Sequence, residues 1–509
     1  MHPLFFTGLA WLFVIVWISF VIYKQKDHHP KALFFLFFTE LWERFSYYGM
    51  RALLILYMTK DLLYGDPKAY GIYGAYGALV YATPVLGGLL AEKFLGYRLA
   101  IILGASLMAV GHFFMAFEYE IVFYAALGFL IIGNGFFKPN ISSMVGSLYK
   151  IGDNKRDSAF TLFYMGINTG AFLTPLTCGV IGETYGFHWG FGIAGIGMLL
   201  GLLVFLYANA KGVFEDRGLS PDHYEPSKQY AKYWKKWVVL GSIVSVPLFA
   251  YLVNQNEITK WILFAVGGSV VIVLLIMAVL EEKVQRERLF VLLILFVFTI
   301  MFWTFFELAG SAITLFTDRN VDRSIGATFI PTSTFQSVNP FFIIMLAPLF
   351  AWFWEKTAKA NKEPSSPFKF STALIQLGIG FGALVVGSWF VGDSYKVPLV
   401  FLLLAYLFHT TGELCLSPIG LSLVTKLSPA KIVAFVMGVW FLSSSFAHII
   451  GSEISKRTSG DAADITDQLQ ISLTAYTDVF QVIAYVAIGS GVLLLLLVPL
   501  LKKWMHGIN

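Results

Sequence analysis

With 509 residues, 57% of them hydrophobic and 13% charged, the chain lies well below the roughly 25% charged content of soluble globular domains, which excludes water as its only solvent. Its net charge of +5 requires no nucleic-acid partner, because basic residues collect in the cytoplasmic loops of any multispanning protein. The two cysteines, Cys178 and Cys415, fall in apolar runs far from any Cys or His at ligand spacing, which argues against a disulfide framework and against a zinc site.

About 20 apolar residues carry a helix across a hydrocarbon core of roughly 30 Å. Fifteen such runs are predicted, at 4–23, 32–58, 70–90, 98–117, 121–146, 159–181, 188–210, 236–253, 261–280, 289–316, 334–354, 370–392, 397–424, 432–452 and 478–501. The first begins Met1-His2-Pro3, with no basic start and no small-residue cleavage site after it, and so reads as a retained helix rather than a signal peptide. Placing the loop 24–31 in the cytoplasm fixes every later loop by alternation. Cytoplasmic loops, counted with the boundary residues Arg98 and Lys236, then hold 25 of the 36 Lys and Arg and periplasmic loops eight, an asymmetry that places the N-terminus outside and the C-terminus inside. Residues 1–30 therefore form an extra helix and its loop, and 31–210 a first bundle of six helices. The charged stretch 211–235 is a cytoplasmic linker, 236–287 an insert of two helices whose interiors carry no charge, and 288–509 a second bundle of six. No short-period repeat is present, which excludes solenoids and propellers.

Seven ionisable residues lie deep in these spans: Glu40, Glu43, Arg44, Arg51, Lys138, Glu307 and Glu413. At about 2.5–3.5 kcal/mol each, leaving all of them unpaired would cost on the order of 20 kcal/mol, more than a protein's net stability. They must pair or meet water, and groups of this kind mark ion pathways and substrate sites. Structural pairing between helices is the competing reading for any one of them. Four lie on the second span. At 100° per residue Glu40, Glu43, Arg44, Tyr47, Tyr48 and Arg51 share an arc of about 140°, a polar stripe suited to a wet cavity. Four carboxylates against three cations leave one negative charge that a single proton would balance. A glutamate that gains and loses an arginine partner can change protonation near neutral pH.

These residues resemble the proton-dependent oligopeptide transporters of the major facilitator superfamily. ELWERFSYYG at 40–49 is similar to the family's ExxER signature, and GFFKPNIS at 135–142 and FYMGINTG at 163–170 to its fourth- and fifth-helix motifs. FWTFFE at 302–307, SVNPFFI at 337–343, GELCLSPIGLSLV at 412–424 and MGVWFL at 437–442 resemble motifs of helices seven, eight, ten and eleven. GGLLAEKFLGYR at 87–98 resembles the superfamily's acidic-basic loop, with Glu92 in the acidic place. The resemblance implies an all-α membrane protein of two six-helix bundles, importing di- and tripeptides with protons by alternating access.

It also implies proton coupling at Glu40, Glu43, Arg44 and Glu307, an outer gate Arg51–Glu307 and an inner gate Lys138–Glu413. Implied peptide contacts are Tyr47, Tyr48, Arg51, Tyr76, Lys138, Asn168, Asn339 and Glu413, with Trp303 and Trp440 walling side-chain pockets. A zwitterion needs cations for its carboxylate, an anion for its ammonium and amides for its backbone, and this set supplies all three. Leu308 departs from the Gln that many members carry after the seventh-helix glutamate, and the extra span 4–23 is absent from the common fourteen-helix members. Expected partners are a di- or tripeptide, protons and the lipid bilayer, with no organic cofactor, no metal and no nucleic acid. The chain is expected to act as a monomer in a bacterial inner membrane.

Three other classes compete. An intramembrane enzyme would need a metal or nucleophile constellation, and neither HExxH nor GxSxG occurs. A channel would pass ions without opposite-sign gates, and a sensor would add a signalling domain. Within transport, the same fold carrying nitrate or another small anion is the alternative, against which Glu413 stands. His409, one turn before Glu413, has the chemistry to join proton transfer, but it reads, like His112 and His448, as structural.

Overall fold

The computed structural model describes residues 3–150, 153, 155–360, 362–429, 431–459 and 465–508, and it is helical almost throughout. In a bilayer the backbone must satisfy its own polar groups, which apolar runs of this length do by forming helices. In chain order these are α1 (Pro3–Gln25), α2 (Lys31–Lys60), α3 (Asp66–Leu90), α4 (Tyr97–Met115), α5 (Glu120–Ser147), α6 (Lys155–Thr174), α7 (Val180–Tyr185) and α8 (Phe187–Ala210). There follow the short α9 (Pro221–Tyr224), then α10 (Tyr230–Val244), α11 (Val246–Asn254), α12 (Asn256–Leu280), α13 (Lys283–Phe306) and α14 (Ala312–Asn320). The last are α15 (Val338–Lys359), α16 (Ser366–Gly387), α17 (Leu399–Leu427), α18 (Val433–Lys456) and α19 (Ile465–Trp504).

Among the described residues, thirteen helices are long and apolar enough to cross a membrane. The 30-residue α2 is long enough as well, but Glu40, Glu43, Arg44 and Arg51 interrupt its hydropathy. Several rods are broken within their length. A π-turn, Pro175–Gly179, joins α6 to α7, a 3-10 segment, Glu307–Gly310, separates α13 from α14, and a 3-10 turn, Thr332–Ser337, leads into α15.

The chain forms two compact units. The first holds Met1–Tyr64, Leu79–Asn256 and Ser324–Pro340, and the second Gly65–Ala78, Glu257–Arg323 and Phe341–Asn509. The first half of α3 therefore belongs with the second unit and the turn before α15 with the first. The insert is divided too, α10 and α11 in one unit and α12 in the other.

In the first unit Ala10, Val14 and Ile18 of α1 pack into a cluster with Phe37, Leu41, Phe45 and Leu176, while the opposite face of α1 stays exposed. Two polar contacts seat this helix on the π-turn. The Thr7 hydroxyl donates to the carbonyl of Leu176, and Trp11 Nε1 donates to Thr177 Oγ1 at 2.9 Å. A π-turn loosens the α-helical ladder, and in lipid the loosened groups need donors from a neighbour. On the far side of the same turn Thr174 Oγ1 donates to the Phe45 carbonyl of α2 at 2.6 Å.

Arg98, at the start of α4, holds the linker down. Its Nε donates to Arg217 O at 2.6 Å, Nη1 to Asn209 Oδ1 at 3.2 Å and Nη2 to Glu215 O, and its own N–H donates to Gly218 O at 3.0 Å. Gly96 has φ +74°, and a methyl there would stand 2.4 Å from Leu219 O, so glycine is required by both the turn and the contact. The linker and the 91–97 loop enclose a cavity of about 580 Å³ lined by Glu92, Tyr97, Ser147, Arg217, Tyr224 and Lys228 among others.

The second unit is cored by aromatic packing of Phe316, Tyr476 and Phe480 and by the fully buried Phe370, Leu374, Leu377 and Phe381 of α16. Arg319 grips Asp66 with its two terminal nitrogens, Nη1 and Nη2, at 2.5 and 2.7 Å, and Tyr70 and Tyr476 share a hydroxyl contact of 3.1 Å. The start of α12 is tied to the end of α18 by a lattice of charges, Lys260–Glu257 at 2.5 Å, Lys456–Glu257 at 2.9 Å and Lys456–Glu453 at 2.8 Å.

Candidate functional site

In the first unit the stripe forms on α2 where the helical period puts it. Arg44 Nε lies 3.1 Å from Glu40 Oε1 and pairs also with Glu43 Oε2. All three side chains are buried, Glu43 completely, so a single guanidinium balances two carboxylates. Lys138 of α5 lies within electrostatic range of both Glu40 and Glu43, which brings the local set to two anions and two cations. Its ammonium sits 4.4 Å from the centroid of the Tyr81 ring. Further along α2, Arg44 lies over Tyr47 at 5.3 Å and Arg51 over Tyr48 at 5.8 Å, while the two tyrosine rings meet edge to face. The aromatic faces hold both guanidinium groups in place.

The GINTG run of α6 lies against this stripe. Gly170 is needed there, since a methyl would approach Leu41 O to 2.4 Å and Arg44 Cβ to 3.0 Å. Two residues earlier Asn168 is buried, its amide nitrogen donating to Tyr164 O at 3.0 Å. Asn339 stands half-buried in the first turn of α15. The 3-10 turn before it is capped by Glu183, which accepts from the N–H groups of Ser333 at 2.7 Å and Thr332 at 3.1 Å.

The second unit carries the remaining candidates. Tyr76 is buried on α3. Trp303 packs edge to face on Phe302 and Phe306 one turn before Glu307. Glu307, 7% exposed, opens the 3-10 segment after α13, and its Oε2 lies 4.0 Å from His448 Nε2 of α18. Glu413 is buried on α17, and Trp440 packs against Phe296 and Phe370. His409 lies with its ring centroid 4.8 Å from that of Phe381, in an apolar setting.

Sequence reasoning took His448 for a structural residue, because its neighbour Glu307 lies on another helix far away in the chain. It passed over Glu183, whose ligands are backbone amides that no motif encodes.

The intramembrane charges divide unevenly. The first unit holds Arg44, Arg51 and Lys138 with Glu40 and Glu43, and the second holds Glu307 and Glu413. Charged and amide side chains carried inside membrane-spanning helices define a polytopic membrane transporter. The comparisons place it further: the POT family model (PTR2) matches residues 98–470. The peptide transporter YePEPT of Yersinia enterocolitica is 37% identical over 495 residues, covering 93% of this chain and 94% of that protein. Dipeptide and tripeptide permease B of Shigella dysenteriae is 32% identical over 478 residues, covering 93% and 96%. A crystal structure of a peptide transporter POT in complex with sulfate is 36% identical, with a TM-score of 0.79 and coverage of 94% and 96%. The chain belongs to the POT family and has the major facilitator fold, as the signature segments led one to expect.

Proposed function

We propose that the chain is a symporter that imports di- and tripeptides together with protons by alternating access, as a monomer in a bacterial inner membrane with its N-terminus outside and C-terminus in the cytoplasm. The observation that carries this reading is the division of charge. Of the seven ionisable residues deep in the spans, three cations and two carboxylates lie in the first unit and two carboxylates in the second. A peptide zwitterion has one pole for each, whereas nitrate has none for Glu413. Arg51 and Lys138 would receive the peptide carboxylate, Glu413 the ammonium, Asn168 and Asn339 the backbone, and Tyr47, Tyr48 and Tyr76 would line its path, with Trp303 and Trp440 walling the side-chain pockets.

In this reading Arg51–Glu307 closes the outer gate and Lys138–Glu413 the inner one. Glu307 exchanges its arginine for a proton, while Glu40, Glu43 and Arg44 complete the coupling set. Import of a zwitterion with one proton moves one positive charge inward, worth about 2.3 kcal/mol per 100 mV. The test is uptake of labelled dialanine into liposomes. Glu307→Gln should abolish accumulation driven by a pH gradient and keep peptide counterflow, and nitrate should not compete. Loss of both activities, or competition by nitrate, would overturn the reading.

A further inference from the structure

The transport scheme uses no histidine, yet His448 lies beside the acid to which it assigns the proton. The gap from His448 Nε2 to Glu307 Oε2 is 4.0 Å, and both side chains are buried. The surroundings fix which edge of the ring faces the acid. A methyl on Gly77 of α3 would stand 2.6 Å from both Cγ and Nδ1 of His448, so this glycine seats the Nδ1 edge and leaves Nε2 toward Glu307. One turn earlier Gly74 gives the same room to Ser452 and to the carbonyl of His448. Gly451 brings α18 against α13, where a methyl would meet Thr304 O at 3.2 Å. Tyr73 of α3 also lies beside the ring, at 6.4 Å between centroids.

We propose that His448 is the second seat of the coupling proton, receiving it from Glu307 when the carboxylate ionises. The proposal rests on the role given to Glu307 above. In the step the O–H bond at Glu307 Oε2 breaks and an N–H bond forms at His448 Nε2, so an acid and a neutral imidazole become a carboxylate and an imidazolium. No other reactant enters. The pair's net charge does not change, and the step leaves an ion pair in the buried site. Imidazole suits the task because the ring nitrogen that carries no proton in the neutral form can accept one.

The gap exceeds hydrogen-bond length by about 1 Å, and such contacts commonly tighten when substrate binds. Glu307 can close it, because it rides on a 3-10 segment that ends at a break in the backbone at Ser311, φ −129° and ψ −94°. Arg51, its proposed partner at the outer gate, is the group that would draw the carboxylate the other way.

The experiment uses the full chain in liposomes with dialanine, comparing wild type, His448→Gln and Glu307→Gln. His448→Gln should keep counterflow within about twofold, lose at least about tenfold in accumulation driven by a pH gradient and show a flattened pH profile of uptake. Wild-type accumulation and pH profile in His448→Gln would overturn the proposal while leaving the role of Glu307 intact. Full proton-driven accumulation in Glu307→Gln would instead remove the reading beneath it. Should His448→Gln lose counterflow by misfolding, infrared difference spectra of the wild type decide. Dialanine should remove a carboxylic-acid band, assigned by its absence from Glu307→Gln, and raise an imidazolium band together. Loss of the first without gain of the second overturns the proposal.

Discussion

Replacing Arg44 by methionine tests the charge arithmetic of α2. The guanidinium serves Glu40, 3.1 Å from its Nε, and Glu43, which pairs with the same nitrogen, and all three side chains are buried. Removing one partner of a buried ion pair costs about 3–5 kcal/mol, because the charge left behind has neither water nor a counter-ion. Two carboxylates would be stranded, but Lys138 acts on both from α5 and offsets one of them. The expected cost of Arg44→Met is therefore at the lower end, about 3 kcal/mol. Adding Glu43→Gln to Arg44→Met restores neutrality, with Glu40 facing Lys138, and should return about 2 kcal/mol of the loss, since replacing both members of a buried pair is near neutral. Equilibrium unfolding in mixed micelles, followed by tryptophan fluorescence, measures all three proteins. A loss below about 1 kcal/mol for Arg44→Met, the worth of an exposed pair, would refute the reasoning. So would a double variant no more stable than the single one.

Two further predictions concern parts of the fold outside the stripe. Thr7→Val with Trp11→Phe removes both donors to the π-turn, the second change also trimming the ring that packs on Trp42 and Phe45. At the values measured for hydrogen bonds between membrane helices, the pair should cost about 1–3 kcal/mol in the same unfolding assay, and Leu12→Ala on the exposed face of α1 should cost less. Equal losses would mean that apolar contact alone holds this helix. Arg98→Lys keeps the charge and loses the fork that reaches Arg217 O, Asn209 and Glu215 O together. Limited trypsin digestion should cut the 211–235 linker about tenfold faster in the variant, as expected for the loss of one or two charge-assisted hydrogen bonds, and unchanged cleavage would show that the clasp contributes nothing.

The spans were legible because run length in an apolar solvent leaves the backbone one choice, and the α2 stripe because its residues recur with the period of a single helix. What could not be read depends on partners distant in sequence. The π-turn in the sixth span is completed by Thr7 and Trp11 from another helix. The family resemblance offers Glu413 as a partner for Lys138, and the electrostatic reach of Lys138 to Glu40 and Glu43 appears only once α2 and α5 are packed. Helix α10 begins at Tyr230, ahead of the span predicted from 236, because Lys232, Lys235 and Lys236 bar a segment from hydrocarbon and not from being helical. Contacts to backbone, such as Arg98 with the linker and Glu183 with Thr332 and Ser333, leave no trace in the sequence of the accepting segment.

The backbone under each acid bears on which of them can act as the switch. Glu40 and Glu43 stand on an unbroken 30-residue helix, where the spacing to Arg44 is fixed by the helix itself. Moving either away from the guanidinium means changing a rotamer in a packed interior, and both carboxylates would have to give up the same nitrogen. Glu307 stands where α13 gives way to a 3-10 segment and then to a break at Ser311, and departures from the α-ladder within a helix are where membrane proteins place hinges. A carboxylate on such a segment can trade partners by a small rotation of its own backbone. The α2 triad is held in place by the continuous helix that carries it, so it is the broken helix rather than the continuous one that should yield when the proton arrives.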